Sequence, residues 1–148
     1  MITLVNGRET DQVSVADRGF QYGDGLFETI AVYHATPLLW PGHMQRLRDG
    51  CARLQLDMPD EDVLLQEVIQ VVGEAERAVV KITVTHVPAG RGYARVPWGM
   101  PTRVVSARHW PNYPAMYARD GVDVRWCRTT LARRAQLAGL KHMNRLPQ

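Results

Sequence analysis

Hydrophobic and polar positions along this chain alternate near its start, recur at helical spacing in its middle, and alternate again afterwards. Residues 2–5 and the residues from Arg8 onward flank Asn6-Gly7, a pair that supplies the positive φ angles of a type I′ turn, so a β-hairpin is predicted. Val13-Ser14-Val15 continues the β pattern. Residues 26–33 read as a strand, His34-Ala35 as a tight connection, and residues 37–40 as the returning strand. Behind Pro41, residues Met44, Leu47, Cys51 and Leu54 recur at spacings of three and four, which makes one apolar helical stripe. His43 and Arg46 lie off that stripe. A second helix opens at Pro59-Asp60, buries Leu64, Leu65, Val68, Ile69 and Val72, and ends at Gly73. Residues 78–84, 102–107 and 122–127 carry the β-branched, apolar character of strands. The order predicts an α+β chain. A small N-terminal domain of antiparallel strands with two helices would occupy residues 1–108, a Pro-rich linker residues 109–120, and the start of an incomplete second domain residues 121–148.

Composition narrows this picture. A chain of 148 residues, 45% hydrophobic and 22% charged, can build one ordinary core. No apolar run reaches the roughly 18 residues of a membrane span, and the first residues lack the pattern of a signal peptide. Cys51 and Cys127 sit far apart among apolar neighbours, so both are expected to be buried free thiols in a reducing cytoplasm. The five histidines show no metal-ligand spacing, and no metal is expected. The net charge of +3 is unevenly spread: Arg125, Arg128, Arg133, Arg134 and Lys141 cluster near the end against Asp120 and Asp123. Such a cluster suits nucleic acid, an anionic small molecule, or a surface that another segment covers. No aromatic residue interleaves with it after Trp126, which weakens the nucleic-acid reading.

Lysine usage marks a candidate for chemistry. Sixteen of the 18 basic residues are Arg; the two lysines are Lys81 and Lys141. Lys141 stands in Leu137-Ala138-Gly139-Leu140-Lys141-His142-Met143-Asn144-Arg145-Leu146, after an apolar approach and a glycine. Only a lysine can supply an amine that loses its proton, which a guanidinium does not. Two further segments stand out. In Asp17-Arg18-Gly19-Phe20-Gln21-Tyr22-Gly23-Asp24-Gly25-Leu26-Phe27-Glu28-Thr29 the backbone must turn tightly beside bulky groups, and in Gly90-Arg91-Gly92-Tyr93 an arginine is presented between two glycines.

These segments, with His43-Met44-Gln45-Arg46-Leu47 between them, resemble in order and spacing the fold-type IV pyridoxal-phosphate enzymes, from Asn6 to the end of the chain. Within that family, the Gly90 to Tyr93 loop and the Lys141 segment look most like the aminodeoxychorismate lyases. The resemblance implies that Lys141 is the catalytic lysine that forms a Schiff base with pyridoxal 5'-phosphate. It implies that Arg46 binds the cofactor phosphate, a group that a guanidinium can grip bidentately. Phe27 and Thr29 would line the substrate side of the pocket, with Arg91 and Tyr93 reaching toward the active site. The implied reaction converts 4-amino-4-deoxychorismate, a small anionic substrate, to p-aminobenzoate and pyruvate. A cytoplasmic homodimer is the implied assembly, with neither nucleic acid nor membrane as partner.

The family's lysine lies early in a second, larger domain that also supplies the partner of the pyridine nitrogen. The chain is therefore expected, as it stands, to bind the cofactor poorly and turn nothing over. An aminotransferase of the same family, of D-amino-acid or branched-chain type, shares Lys141 and Arg46 and is the alternative. A non-catalytic module that uses the basic C-terminal stretch to bind a partner or an acidic polymer is the remaining one.

Overall fold

A computed structural model describes residues 2–87, 92–96, 100–130 and 136–146 of the chain. In chain order the elements are β1 (Thr3–Val5), β2 (Arg8–Glu9), α1 (Arg18–Tyr22), β3 (Gly25–Tyr33), β4 (Thr36–Pro37), α2 (Trp40–Leu54), α3 (Glu61–Val72), β5 (Arg77–Thr85), β6 (Thr102–His109) and α4 (Met116–Asp120). The strands form one antiparallel sheet in the order β2-β1-β6-β5-β3-β4. The architecture is α+β, as the periodicities indicate.

One face of the sheet is apolar and one is not. Along β3, Leu26, Glu28, Ile30 and Val32 are buried, while Phe27, Thr29, Ala31 and Tyr33 are less so. That alternation follows from the two-residue period of a strand. The buried set joins Val80, Ile82, Val84 and Val105 from β5 and β6. Met44, Leu47 and Cys51 of α2, and Leu64 and Val68 of α3, complete this core, so both long helices cover the same face. Burial pushes the Cys51 thiol up to about 11, with Asp57 adding to it, which keeps the group protonated and inert.

Several expectations are corrected. Residues 13–15 are not a strand; they lead into α1, whose cap is Asp17, its side chain accepting from Phe20 N. The returning strand β4 covers only Thr36–Pro37, because α2 already begins at Trp40. On α3 the buried face holds Glu67 and Val71, while Ile69 is 45% exposed. The helix turns Glu67 inward, where its two carboxylate oxygens accept from Nε and Nη2 of Arg103 on β6. Residues 122–127 form no strand; Trp126 is 99% exposed, and Val122 and Val124 are exposed as well. Cys127 is exposed rather than buried, as are all of residues 121–130 around it. No helix among the described residues is long and apolar enough to cross a membrane.

Candidate active site

The Lys141 segment returns to the sheet beside β3. Leu26 and His142 form an antiparallel bridge. Phe27 N donates to Lys141 O at 3.0 Å, and Met143 N donates to Gly25 O at 3.0 Å. Residues 141–143 therefore run along the edge of β3 that β4 occupies further on. Leu140, buried in the core, anchors the entry to this stretch. Arg53 of α2 holds the approach by donating to Ala138 O at 2.9 Å and Gln136 O at 2.8 Å. Beyond Lys141, Asn144 Nδ2 donates to Gly23 O at 3.0 Å, and Arg145 Nε to His142 O at 2.9 Å.

This pairing sets Lys141 opposite Phe27, and side chains opposite one another in a sheet share a face. Lys141 Nζ lies 4.8 Å from the centroid of the Phe27 ring, Lys81 Nζ also 4.8 Å, and Arg145 Cζ 5.5 Å. Both lysines of the chain converge on one aromatic ring, on the sheet face that the helices leave open. Thr29 faces the same way and pairs in register with Lys81. Cations over a ring face are attracted by its quadrupole, so Phe27 acts as a platform for three of them.

Arg46 occupies the other side of β3. Its Nε donates to Glu28 Oε1 at 2.7 Å and its Nη2 to Glu28 Oε2 at 2.5 Å, and His43 Nδ1 meets Glu28 Oε2 at 2.8 Å. The Glu28 side chain is 1% exposed and that of Arg46 is 47% exposed. Burial would push the Glu28 carboxyl up, but the hydrogen bonds from Arg46 and His43 outweigh it and hold it below the usual range. The odd-numbered residues of β3 aim their backbone groups at the edge shared by the Lys141 segment and β4, with Phe27 and Ala31 engaged there. Thr29 lies between those two pairings.

The remaining candidates fall elsewhere. Arg91 lies outside the described residues. Tyr93 is 83% exposed, with its ring 5.4 Å from that of Tyr22. It lines an open pocket of ≈ 530 Å³ with Arg18, Asp24, Arg95 and His142, whose lining includes neither Phe27 nor Lys141. Arg18 Nε and Arg95 Nη2 grip Asp24 at 2.8 and 2.7 Å, while Arg18 Nη2 donates to Tyr93 O at 3.2 Å. Burial pushes His142 down, and Arg145 adds to the shift, so that imidazole is neutral at neutral pH. Lys81 and Glu28 were not singled out by the motifs. The first had a signal, as the chain's other lysine; the second had none beyond an acid in an apolar alternation.

Residues 25–148 match the model of the amino-transferase class IV family. The chain belongs to that family. It is 35% identical over 147 residues to an aminodeoxychorismate lyase of Vibrio harveyi, covering 97% of this chain and 53% of that one. A crystal structure of 4-amino-4-deoxychorismate lyase from Pseudomonas aeruginosa superposes with a TM-score of 0.90 at 42% identity, covering 99% of this chain and 54% of that one. A hypothetical aminotransferase from Mycobacterium tuberculosis, solved in a PLP-bound form, is similar in fold with a TM-score of 0.56 at 21% identity, over 75% of this chain and 40% of its own. The chain thus spans about half the length of the lyases it matches.

Proposed function

We propose that this class IV chain carries the cofactor lysine, Lys141, and the phosphate-binding arginine, Arg46, of a pyridoxal-phosphate-dependent lyase. Its reaction converts 4-amino-4-deoxychorismate to p-aminobenzoate and pyruvate. The observation that carries the reading is the convergence of Lys141, Lys81 and Arg145 on the Phe27 ring, together with the similarity to two lyases.

The residues fit the cofactor. Arg46 offers a half-exposed side chain whose Nη1 takes no described partner, which suits a phosphate ester. Lys141 offers a primary amine beside an apolar ring. Bound there, the cofactor supplies an electron sink for the bond that breaks next to the substrate nitrogen. The chain's own residues do the rest. Arg46 holds the phosphate, and the Lys141 amine takes the proton from the carbon that bears the substrate nitrogen. Lys81 and Arg145 present positive charge to the substrate's two carboxylates, Phe27 excludes water beneath them, and Thr29 offers a hydroxyl on the same face. Residues 109–120 would link this domain to a second one beginning near residue 121, and two such chains would pair as a cytoplasmic homodimer.

The family's name itself favours a second reading, an aminotransferase using the same Lys141 and Arg46. One set of experiments tests both. Borohydride reduction in the presence of pyridoxal phosphate, followed by peptide mass mapping, is expected to label Lys141 and to spare Lys81. A label on Lys81 alone, or one that survives Lys141→Ala, overturns the assignment. Release of p-aminobenzoate from aminodeoxychorismate, measured against keto-acid-dependent amino transfer on a version extended to the length of its relatives, separates lyase from aminotransferase.

A further inference from the structure

We propose that Glu28 is the positioning residue of an anion receptor: it grips one edge of the Arg46 guanidinium and turns the other edge toward a phosphate monoester. The proposal rests on the reading of Arg46 as the phosphate-binding side chain.

Glu28 stands where the strand pattern calls for an apolar residue. Its neighbours on the same face, Leu26, Ile30 and Val32, are all in the core. A carboxylate withdrawn from water in such a place costs free energy unless its oxygens are satisfied. Here both are: Oε1 accepts from Arg46 Nε at 2.7 Å, and Oε2 accepts from Arg46 Nη2 at 2.5 Å and meets His43 Nδ1 at 2.8 Å. The carboxylate is therefore locked by two residues one helical turn apart on α2, and it locks Arg46 in return.

A guanidinium has a fixed fork of five N–H donors. Glu28 uses the Nε and Nη2 edge. Nη1 takes no described partner, and with 47% of the side chain exposed it remains open to a ligand. A free arginine would have to be immobilised by the ligand that it binds, and a pre-set one need not be.

The test is calorimetric binding to the 148-residue chain, with pyridoxal phosphate and inorganic phosphate as probes and unphosphorylated pyridoxal as the control. Glu28→Asp keeps the charge and withdraws the carboxylate by one methylene. It is expected to weaken both phosphate-bearing probes about three- to tenfold, the cost of ordering one arginine side chain, and to leave pyridoxal unchanged. Glu28→Gln keeps the reach and one acceptor oxygen, and is expected to fall between wild type and Glu28→Asp. It also serves if the shorter residue prevents folding, which circular dichroism reports. Glu28→Asp binding phosphate like wild type, Glu28→Gln binding it more tightly than wild type, or an equal loss for pyridoxal overturns the proposal. Equal phosphate binding by wild type and Arg46→Ala instead refutes the reading of Arg46 itself.

Discussion

Arg103 on β6 and Glu67 on α3 form a two-pronged ion pair across the edge of the core. Arg103 Nε meets Glu67 Oε2 at 2.7 Å and Nη2 meets Oε1 at 2.6 Å, with side chains 16% and 7% exposed. The pair explains why α3 turns a charged residue inward and an isoleucine outward. Truncating one partner leaves the other charge stranded, a cost of about 3–5 kcal/mol in such settings. Arg103→Ala is therefore expected to lower the urea midpoint strongly, and Arg103→Met with Glu67→Leu to recover most of the loss. A double variant no better than Arg103→Ala would show that the pair is not the source of the cost.

Acid is expected to loosen the molecule at two known places. Burial pushes the Asp24 carboxyl up, but the hydrogen bonds from Arg18 and Arg95 outweigh it and hold it below its ordinary 3.8. Glu28 is held below its ordinary 4.5 in the same way, by Arg46 and His43. The unfolded chain takes up these protons first, so their stabilisation is complete above about pH 5 and is lost as pH falls through the folded values. Asp24→Asn and Glu28→Gln are expected to be less stable than wild type near neutral pH, with gaps that shrink below pH ~4. Denaturation midpoints across that range check it; gaps that stay constant contradict the assigned cause.

What was legible in the sequence were the features that rest on local period and local turn chemistry. Met44, Leu47 and Cys51 announce the buried stripe of α2, and Asn6-Gly7 announces the first hairpin, with φ angles of 50° and 79°. The features that escaped depend on residues far apart in the chain. α1 hides among glycines because its cap, Asp17, is set by a bond from Thr85 Oγ1 at 2.7 Å. The grip of Glu28 on Arg46 was not legible, because the two residues lie eighteen positions apart on different elements. Residues 122–127 have strand composition, and composition cannot supply a neighbouring strand. Lys141 stands out in the sequence by its rarity and its motif, whereas its meeting with Lys81 over Phe27 is a product of the sheet register.

The second hairpin turn carries correctable strain. His34 and Ala35 adopt φ angles of 44° and 54°, in the region that favours glycine and asparagine. Strand pairing resumes at once with Tyr33 opposite Thr36, so the turn cannot relax. A left-handed conformation costs a residue with a side chain roughly 1–2 kcal/mol, and glycine gives back part of that in chain entropy. Ala35→Gly is expected to stabilise the chain by about 0.5–1 kcal/mol. Gly7→Ala, at the matching position of the first hairpin, is expected to do the reverse. Melting temperatures that move together, or not at all, would contradict this.

Gly19 and Thr85 should be strongly coupled. A Cβ added to Gly19 would lie 2.2 Å from Thr85 Cγ2 and 2.9 Å from Asp17 Oδ1, distances that packed atoms do not tolerate. Thr85 cannot simply swing away, since its hydroxyl holds the Asp17 side chain that caps α1. Gly19→Ala is thus expected to cost about 1–3 kcal/mol, the range for an overpacked buried site. Thr85→Ser removes the offending methyl and keeps the hydroxyl. Alone it is expected to cost under about 1 kcal/mol, as one lost methyl does. In its presence Gly19→Ala should become cheaper, leaving the approaches to Asp17 Oδ1 at 2.9 Å and to Thr85 Cβ at 3.0 Å. A double-mutant cycle by chemical denaturation measures this, with an expected coupling of roughly 1 kcal/mol or more. Additive costs would mean that α1 moves as a unit to make room, and that the close approach of α1 to β5 is not what requires a glycine there.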